Sequence, residues 1–243
     1  MKSIGIIPSR FGSTRFPGKP LVNIGGKCMI QRVYEQATKS NLTEVIVATD
    51  DQRIADVVVG FGGRFCMTDS ELQSGTDRCA ETLDKIETNA DIVINIQGDE
   101  PFIDPSTINM LIDSFSNPNA EIATLYTHFA KFEDVESANR VKMVIDKNDS
   151  VLYFSRSVIP HQNPQADVSV YKKHIGLYGY KTSVLKQIKK LKISSLEKLE
   201  KLEQLRWLQN GFSIYAYSCN DVGIAIDTPE DIVKAEIFLK QNS

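Results

Sequence analysis

Ile92-Val93-Ile94-Asn95-Ile96-Gln97-Gly98-Asp99-Glu100-Pro101 is an apolar run that stops abruptly at a glycine, two acids and a proline. A strand reads as continuously apolar when both of its faces are buried, and such strands belong to sheets covered by helices on both sides. The same kind of short β-rich run recurs at residues 4–7, 45–49 and 64–67. Helical patterns at residues 29–39, 53–59 and 77–87 separate these runs. Alternation of this kind predicts a largely parallel sheet with helices on both faces. In open sheets of that class the ligand crevice lies beyond the carboxyl ends of the strands. Three such ends carry polar, glycine-bearing or acidic loops: residues 8–20, Asp50-Asp51, and residues 97–101.

The second half is less regular. Strand signals fall at residues 122–127, 141–146, 151–154 and 175–180. Residues 157–173 contain Pro160, Pro164 and many polar side chains, which predicts a loop or a short β excursion. A helix is predicted over residues 195–210, opened by a capping box of Ser194 with Glu197 and closed by Gly211. Its leucines at 196, 199, 202, 205 and 208 make a broad apolar stripe, inside which Glu203 and Arg206 fall. Charges in a stripe are costly unless paired or functional. Two readings stand: an ion pair between Glu203 and Arg206 at the edge of the core, or a polar face shared with Gln204 and turned to a ligand. No linker, internal repeat or low-complexity segment divides the chain apart from this Lys/Leu/Glu-rich helix, so residues 1–243 read as one domain with a small insertion.

The 243 residues are 42% hydrophobic, ordinary for a globular core, and the formal net charge of −3 gives no basic face for nucleic acid. No apolar run approaches the roughly 20 residues needed to span a membrane. Pro8 and Arg10 interrupt the first apolar stretch, so no signal peptide is expected. Cys28, Cys66, Cys79 and Cys219 form no Cys-x-x-Cys pair and read as reduced, small core residues of a cytoplasmic protein.

The chemistry concentrates in a few places. The loop Pro8-Ser9-Arg10-Phe11-Gly12-Ser13-Thr14-Arg15-Phe16-Pro17-Gly18-Lys19-Pro20 sets three cations among small residues, which suits a triphosphate. It is neither a Walker loop nor a dinucleotide Gly-x-Gly-x-x-Gly. Asp99 is a hard oxygen ligand suited to Mg²⁺, or the cap of an ordinary Asx turn. Asp227 points into the crevice if Thr228 caps the helix that Pro229 begins, or caps that helix itself. Ser74-Gly75-Thr76-Asp77-Arg78 reads as a plain helix cap followed by a surface arginine, or as a phosphate or base cradle. His128, His161 and His174 are too dispersed for a metal motif, and each defaults to a structural histidine. Gly60-Phe61-Gly62-Gly63 lacks the third glycine of a nicotinamide-nucleotide fold and follows a helical pattern.

Taken in order, these motifs resemble the CMP-Kdo synthetase (3-deoxy-manno-octulosonate cytidylyltransferase) family along nearly the whole chain. The basic loop is shared with other sugar cytidylyltransferases. Val47–Asp51, Gln73–Arg78 and Gln97–Pro101 follow it in the family's order. Tyr153–Ser157, His174–Tyr180, Leu202–Arg206 and Asp227–Asp231 continue the series and narrow the resemblance. Leu72, Cys28 and the segment Val222-Gly223-Ile224-Ala225-Ile226 depart from the family pattern.

The resemblance implies a Rossmann-like mixed, mostly parallel sheet flanked by helices, of the nucleotide-diphospho-sugar transferase type. A small β-containing dimerisation insertion is implied as well, with residues 153–211 giving sugar-site and homodimer elements. The implied reaction joins CTP and Kdo into CMP-Kdo and diphosphate, for lipopolysaccharide synthesis. Arg10, Arg15 and Lys19 would hold the triphosphate, and Asp99 and Asp227 would hold Mg²⁺. Pro8, Ser13, Ser74, Arg78, Gln97 and Gly98 would complete the nucleotide site, and Arg156, His174, Tyr178, Glu203 and Gln204 the sugar site. The rival acceptors are sialic acid and amino-substituted Kdo. More distant rivals are a metal-dependent glycosyltransferase and an inactive nucleotide-binding module.

Overall fold

The run at residues 4–7 forms β1 (Ser3–Ser9), in which every residue but Pro8 is buried. The computed structural model describes residues 1–12, 16–163, 165, 167–220, 225–226 and 228–241. It divides into two compact units, Met1–Ile112 with Gly223–Ser243, and Asp113–Val222.

In the first unit β1 is followed by the short strands β2 (Asn23–Ile24) and β3 (Lys27–Cys28), then by α1 (Met29–Ala37). Next come β4 (Glu44–Thr49), α2 (Gln52–Gly60), β5 (Arg64–Met67), α3 (Gly75–Lys85), β6 (Ile92–Asn95) and α4 (Pro105–Asp113). A last helix, Pro229–Gln241, also belongs to this unit. The strand order is β6-β1-β4-β5, and every one of these neighbours is parallel. All four residues of β6 are buried, as the apolar reading of that strand requires. The chain moves from β1 outward to β4 and β5, then returns through α3 to β6 on the other side of β1. The loops leaving β1 and β6 therefore part in opposite directions, and that divergence opens a crevice at their carboxyl ends.

The second unit contains β7 (Ile122–His128), α5 (Phe132–Glu136), β8 (Lys142–Ile145), β9 (Val151–Ser155) and β10 (Lys172–Lys181). After them come α6 (Thr182–Ile188), α7 (Ser195–Glu200), α8 (Gln204–Gln209) and β11 (Ile214–Ser218). Here β7 lies parallel to β11 and antiparallel to β10, and β8 lies antiparallel to both β10 and β9. The fold class is thus the expected one, a mixed and mostly parallel arrangement flanked by helices. The register of β10 against β7 shifts between Ile175 and Tyr178, so the side chains of His174 and Tyr178 come together, ring centroids 5.3 Å apart.

The expectation of one long helix fails. The helix predicted over residues 195–210 is two helices, broken at Lys201, which adopts φ 53 in the left-handed region. The predicted capping box at Ser194 and Glu197 forms, and Gly211 ends the second helix with φ 83. The break comes from residues far away in sequence. Arg156 Nε donates to the Glu200 carbonyl at 2.8 Å and Nη2 to the Lys201 carbonyl at 3.4 Å, so the last carbonyls of α7 find partners outside the helix. The predicted stripe breaks with it: Leu199 is 79% exposed, while Leu202 is turned inward. Arg206 pairs chiefly with Glu197, through Nε at 2.8 Å and Nη2 at 2.7 Å, and Glu203 stands off at 3.6 Å.

None of the four cysteines forms a disulfide. Cys79 and Cys219 are buried, whereas Cys28 and Cys66 are only half-buried, contrary to the core reading of all four.

Candidate active site

The crevice at the β1/β6 divergence is a cavity of about 320 Å³. It collects Pro8, Arg10, Lys19, Ser74, Arg78, Gln97, Gly98 and Asp99 from loops that sequence separates widely, and Ser9 as well. Ser13, Arg15 and Asp227 lie outside the described residues. A larger hollow of about 440 Å³ sits at Lys2, Ile4, Thr43 and Asn89, at the amino ends of the strands, where none of the candidate residues falls. The chemistry of a parallel sheet favours the carboxyl ends.

Glycine at 98 is dictated by space. A Cβ there would lie 2.8 Å from the Pro8 carbonyl oxygen and 2.9 Å from Ser9 Oγ. The loop after β6 thus runs against the end of β1, and that close approach delivers Asp99 to the cavity. Lys19 Nζ donates to Asp99 Oδ2 at 2.8 Å and to the Ile226 carbonyl at 2.8 Å. The Ile226 N–H in turn donates to the Asp99 carbonyl at 2.9 Å. Ile226 is fully buried with Ile24, Met29 and Ala235, so the last helix of the first unit anchors this end of the site. Asp231 accepts from the backbone N–H of Thr228 at 3.1 Å and from its hydroxyl at 3.2 Å, which favours Thr228 as the cap of that helix.

Ser74 caps α3, accepting from the Asp77 N–H at 3.0 Å. Arg78, one turn on, is not the surface side chain that a plain cap implies: it is 1% exposed. Its Nη2 meets Asp50 Oδ2 at 3.1 Å, and its Nη1 donates to Thr68 Oγ1. Thr68 is itself fixed, donating from its N–H and hydroxyl to the Thr49 carbonyl at 2.8 and 3.1 Å. Burial lowers the Arg78 pKa, and the Asp50 carboxylate opposes that shift. Arg10, Lys19 and Arg78 line the cavity against one carboxylate, Asp99, and counting Asp50 as the partner of Arg78 still leaves one cation in excess, a balance that suits an anionic ligand.

In the second unit His174 and Tyr178 belong to an aromatic cluster with Phe154, Tyr180 and Trp207, and Glu203 is near enough to act on Tyr178. His174 packs between Phe154, with centroids 5.0 Å apart, and Tyr178, at 5.3 Å. Burial pushes its imidazole down to about 3, so it is neutral near pH 7. Its Nε2 lies 3.0 Å from Thr124 Oγ1, and the Thr124 hydroxyl reaches the Leu177 carbonyl at 2.9 Å. A hydroxyl that donates to a carbonyl accepts from the imidazole, which assigns the proton to Nε2 and leaves Nδ1 as an acceptor. Tyr178 Oη is buried without a hydrogen-bond partner, and burial, then Tyr180 and Glu203, raise its pKa. Gln204 is 5% exposed. Arg156 Nη1 donates to the Ala138 carbonyl at 3.0 Å in addition to its contacts with the α7 terminus. The Lys142 ammonium, fully buried, donates to the Arg156 carbonyl and to those of Ser137 and Arg140.

Comparison with known proteins supplies the family. The family model for cytidylyltransferases matches residues 4–217. A curated protein of Bacteroides thetaiotaomicron named 3-deoxy-manno-octulosonate cytidylyltransferase is 51% identical over 252 residues, covering 100% of both chains. This chain belongs to the 3-deoxy-manno-octulosonate cytidylyltransferase family. A solved structure of CMP:2-keto-3-deoxy-manno-octonic acid synthetase complexed with CTP superposes with a TM-score of 0.94 at 39% identity, covering 100% of each chain. A 4-diphosphocytidyl-2C-methyl-D-erythritol synthase from Anaerococcus prevotii, at 13% identity and a TM-score of 0.66 over 98% of this chain and 99% of its own, shares the fold alone.

Several residues at these two sites were not legible in the cytidylyltransferase sequence. Asp50 stood in a quoted motif with no task, and its pairing with Arg78 spans 28 positions. Thr68, Thr124 and Lys142 carried no signal at all, because each acts through partners that only the fold supplies.

Proposed function

We propose that this cytidylyltransferase transfers the cytidylyl group of CTP to Kdo, giving CMP-Kdo and diphosphate. Its full-length kinship with Kdo cytidylyltransferases carries the reading. The cationic cavity at the β1/β6 divergence supports it. The anomeric hydroxyl of Kdo attacks the α-phosphorus of CTP, and the bond to the β-phosphate oxygen breaks. Such a reaction asks for positioning and charge neutralisation rather than a protein nucleophile. Arg10, Arg15 and Lys19 hold the triphosphate and take up charge on the departing diphosphate. Ser13, Ser74, Arg78, Gln97 and the backbone at Pro8 and Gly98 orient the nucleoside. His174, Tyr178, Glu203, Gln204 and Arg156 receive the sugar acid. The neutral His174 and the unpartnered Tyr178 hydroxyl supply hydrogen bonds rather than charge.

The donor set fits Mg²⁺. That ion is held by one or two carboxylates and completed by phosphate oxygens and water. Asp99, 32% exposed, offers a hard carboxylate beside the triphosphate cations. Asp227 is the second carboxylate of the reading, supported by the hydrogen bond between its neighbour Ile226 and Asp99. Among the described residues no group of three or more His, Cys, Asp or Glu side chains comes together, and an ion completed by substrate oxygens needs none. The chemistry Mg²⁺ supplies when bound is charge neutralisation at the transferring phosphate and a more acidic attacking hydroxyl. The enzyme of this reading works in the cytoplasm as a homodimer, built partly through residues 153–211, and feeds lipopolysaccharide synthesis. No helix among the described residues is long and apolar enough to cross a membrane.

A diphosphate-release assay tests the reading. CTP should be preferred over UTP and ATP, Kdo over sialic acid and 8-amino-Kdo, and chelation by EDTA should stop release. Faster release with another sugar acid would reassign the acceptor.

A further inference from the structure

Among the described residues three buried side-chain atoms have no hydrogen-bond partner, Ser9 Oγ, Asn95 Oδ1 and Tyr178 Oη. Native proteins seldom leave such groups orphaned, and a bound ligand is one standard reason when they do. Tyr178 belongs to the sugar cluster already described. Asn95 lies beneath Gly75, its Nδ2 3.6 Å from where a Cβ of that glycine would stand, and is not part of the cavity wall. Ser9 is in the wall itself and is 3% exposed.

Strand parity fixes which part of the cavity Ser9 serves. Side chains at positions 5, 7 and 9 of β1 share one face. A Cβ at Gly5 would meet Leu42 at 2.6 Å, in the segment that follows α1, so this is the face that α1 covers. The Lys19 segment feeds that same helix. Pro8, on the opposite face, lies under Gly75 at the start of α3. Ser9 Oγ is pressed toward Gly98, at 2.9 Å from its Cβ position, and Gly98 precedes Asp99, the partner of Lys19. The next residue, Arg10, falls on the opposite face by the same parity, near Arg78 of α3. The orphan hydroxyl therefore sits on the Lys19–Asp99 side of the cavity, away from the α3 side.

We propose that the Ser9 hydroxyl donates a hydrogen bond to a phosphate oxygen of the bound nucleoside triphosphate. The proposal rests on the CTP reading above and adds a contact to it. Ser9 differs from Arg10 and Lys19 in carrying no charge, so it gives direction to a phosphate that the cations hold only by attraction.

Ser9→Ala tests this with two readouts, titration calorimetry with CTP and with cytidine, and thermal denaturation of the ligand-free protein. The variant should bind CTP about tenfold more weakly and cytidine as the wild type does. Its melting temperature should equal or exceed that of the wild type, because the substitution removes a hydroxyl that has no partner. CTP affinity at the wild-type level, an equal loss for CTP and cytidine, or a melting temperature lowered by several degrees would each overturn the proposal. Wild-type protein that fails to bind CTP would instead refute the nucleotide reading on which the proposal stands.

Discussion

Gly98→Ala isolates how the site is built. The added methyl would stand 2.8 Å from the Pro8 carbonyl oxygen and 2.9 Å from Ser9 Oγ. Ser9 can give by rotating, but the Pro8 carbonyl is part of β1, whose register with β4 runs through Pro8 and Ser9. The loop of residues 97–99 must therefore retreat by about half an ångström to reach ordinary carbon–oxygen contact. Gly98 is not among the residues with positive φ, so the penalty comes from the contact and not from the backbone angle. Overpacking of this kind costs about 1–3 kcal/mol. A displacement of about 1 Å at a reacting group costs on the order of a hundredfold in rate, so half of it at Asp99 predicts about a tenfold fall in kcat. Diphosphate release with saturating CTP, Kdo and Mg²⁺ reads the rate, and thermal denaturation reads the stability, at about 3 °C per kcal/mol for a chain of this size. Gly60→Ala is the control, since a methyl there meets nothing within 4 Å. Wild-type kcat and melting temperature in Gly98→Ala would refute the packing of this loop against β1.

Three further outcomes follow from the same geometry. Asp50→Ala leaves the fully buried Arg78 without its ion-pair partner and should destabilise the protein by about 3–5 kcal/mol in urea denaturation. Adding Arg78→Met should recover much of that loss, and a cost below about 1 kcal/mol for the single variant would contradict the buried pair. His174 is neutral in the folded protein, with its pKa held down to about 3 by burial, whereas the unfolded chain takes up a proton below about 6.5. Stability should therefore fall on acidification between about pH 6 and pH 3, by about 1.4 kcal/mol per unit from this group. His174→Gln should show a shallower slope, and equal slopes would place His174 outside that balance. Glu203→Ala should raise the KM for Kdo about tenfold and leave that for CTP unchanged. Arg206 keeps its paired contact with Glu197, so the fold should survive, and equal effects on both substrates would move Glu203 out of the sugar site.

The parts of this fold that sequence revealed are those whose signal is local. The strand at residues 92–96 reads as buried on both faces because nearly every side chain in it is apolar, and it forms that way. The capping box at Ser194 and Glu197 is a four-residue pattern, and it too forms. What sequence hid depends on partners brought from afar. The helix over residues 195–210 has a continuous leucine pattern, yet Arg156 draws the carbonyls of Glu200 and Lys201 out of it. Arg78 looked like a surface residue because neither Asp50 nor Thr68 is its neighbour in the chain. Lys19 and Asp99 were assigned separate tasks, and only the fold shows them 2.8 Å apart. Ser9 stood unremarked in the most conspicuous loop, since a missing hydrogen bond leaves no trace in a string of residues.

Mass spectrometry of the products decides whether CMP passes from CTP to Kdo. Purified protein incubated with CTP, Kdo and Mg²⁺ should yield CMP-Kdo and diphosphate in equal amounts, with none formed by Asp99→Ala. Hydrolysis of CTP with no CMP-Kdo, or CMP joined to a different acceptor in preference to Kdo, would refute that transfer.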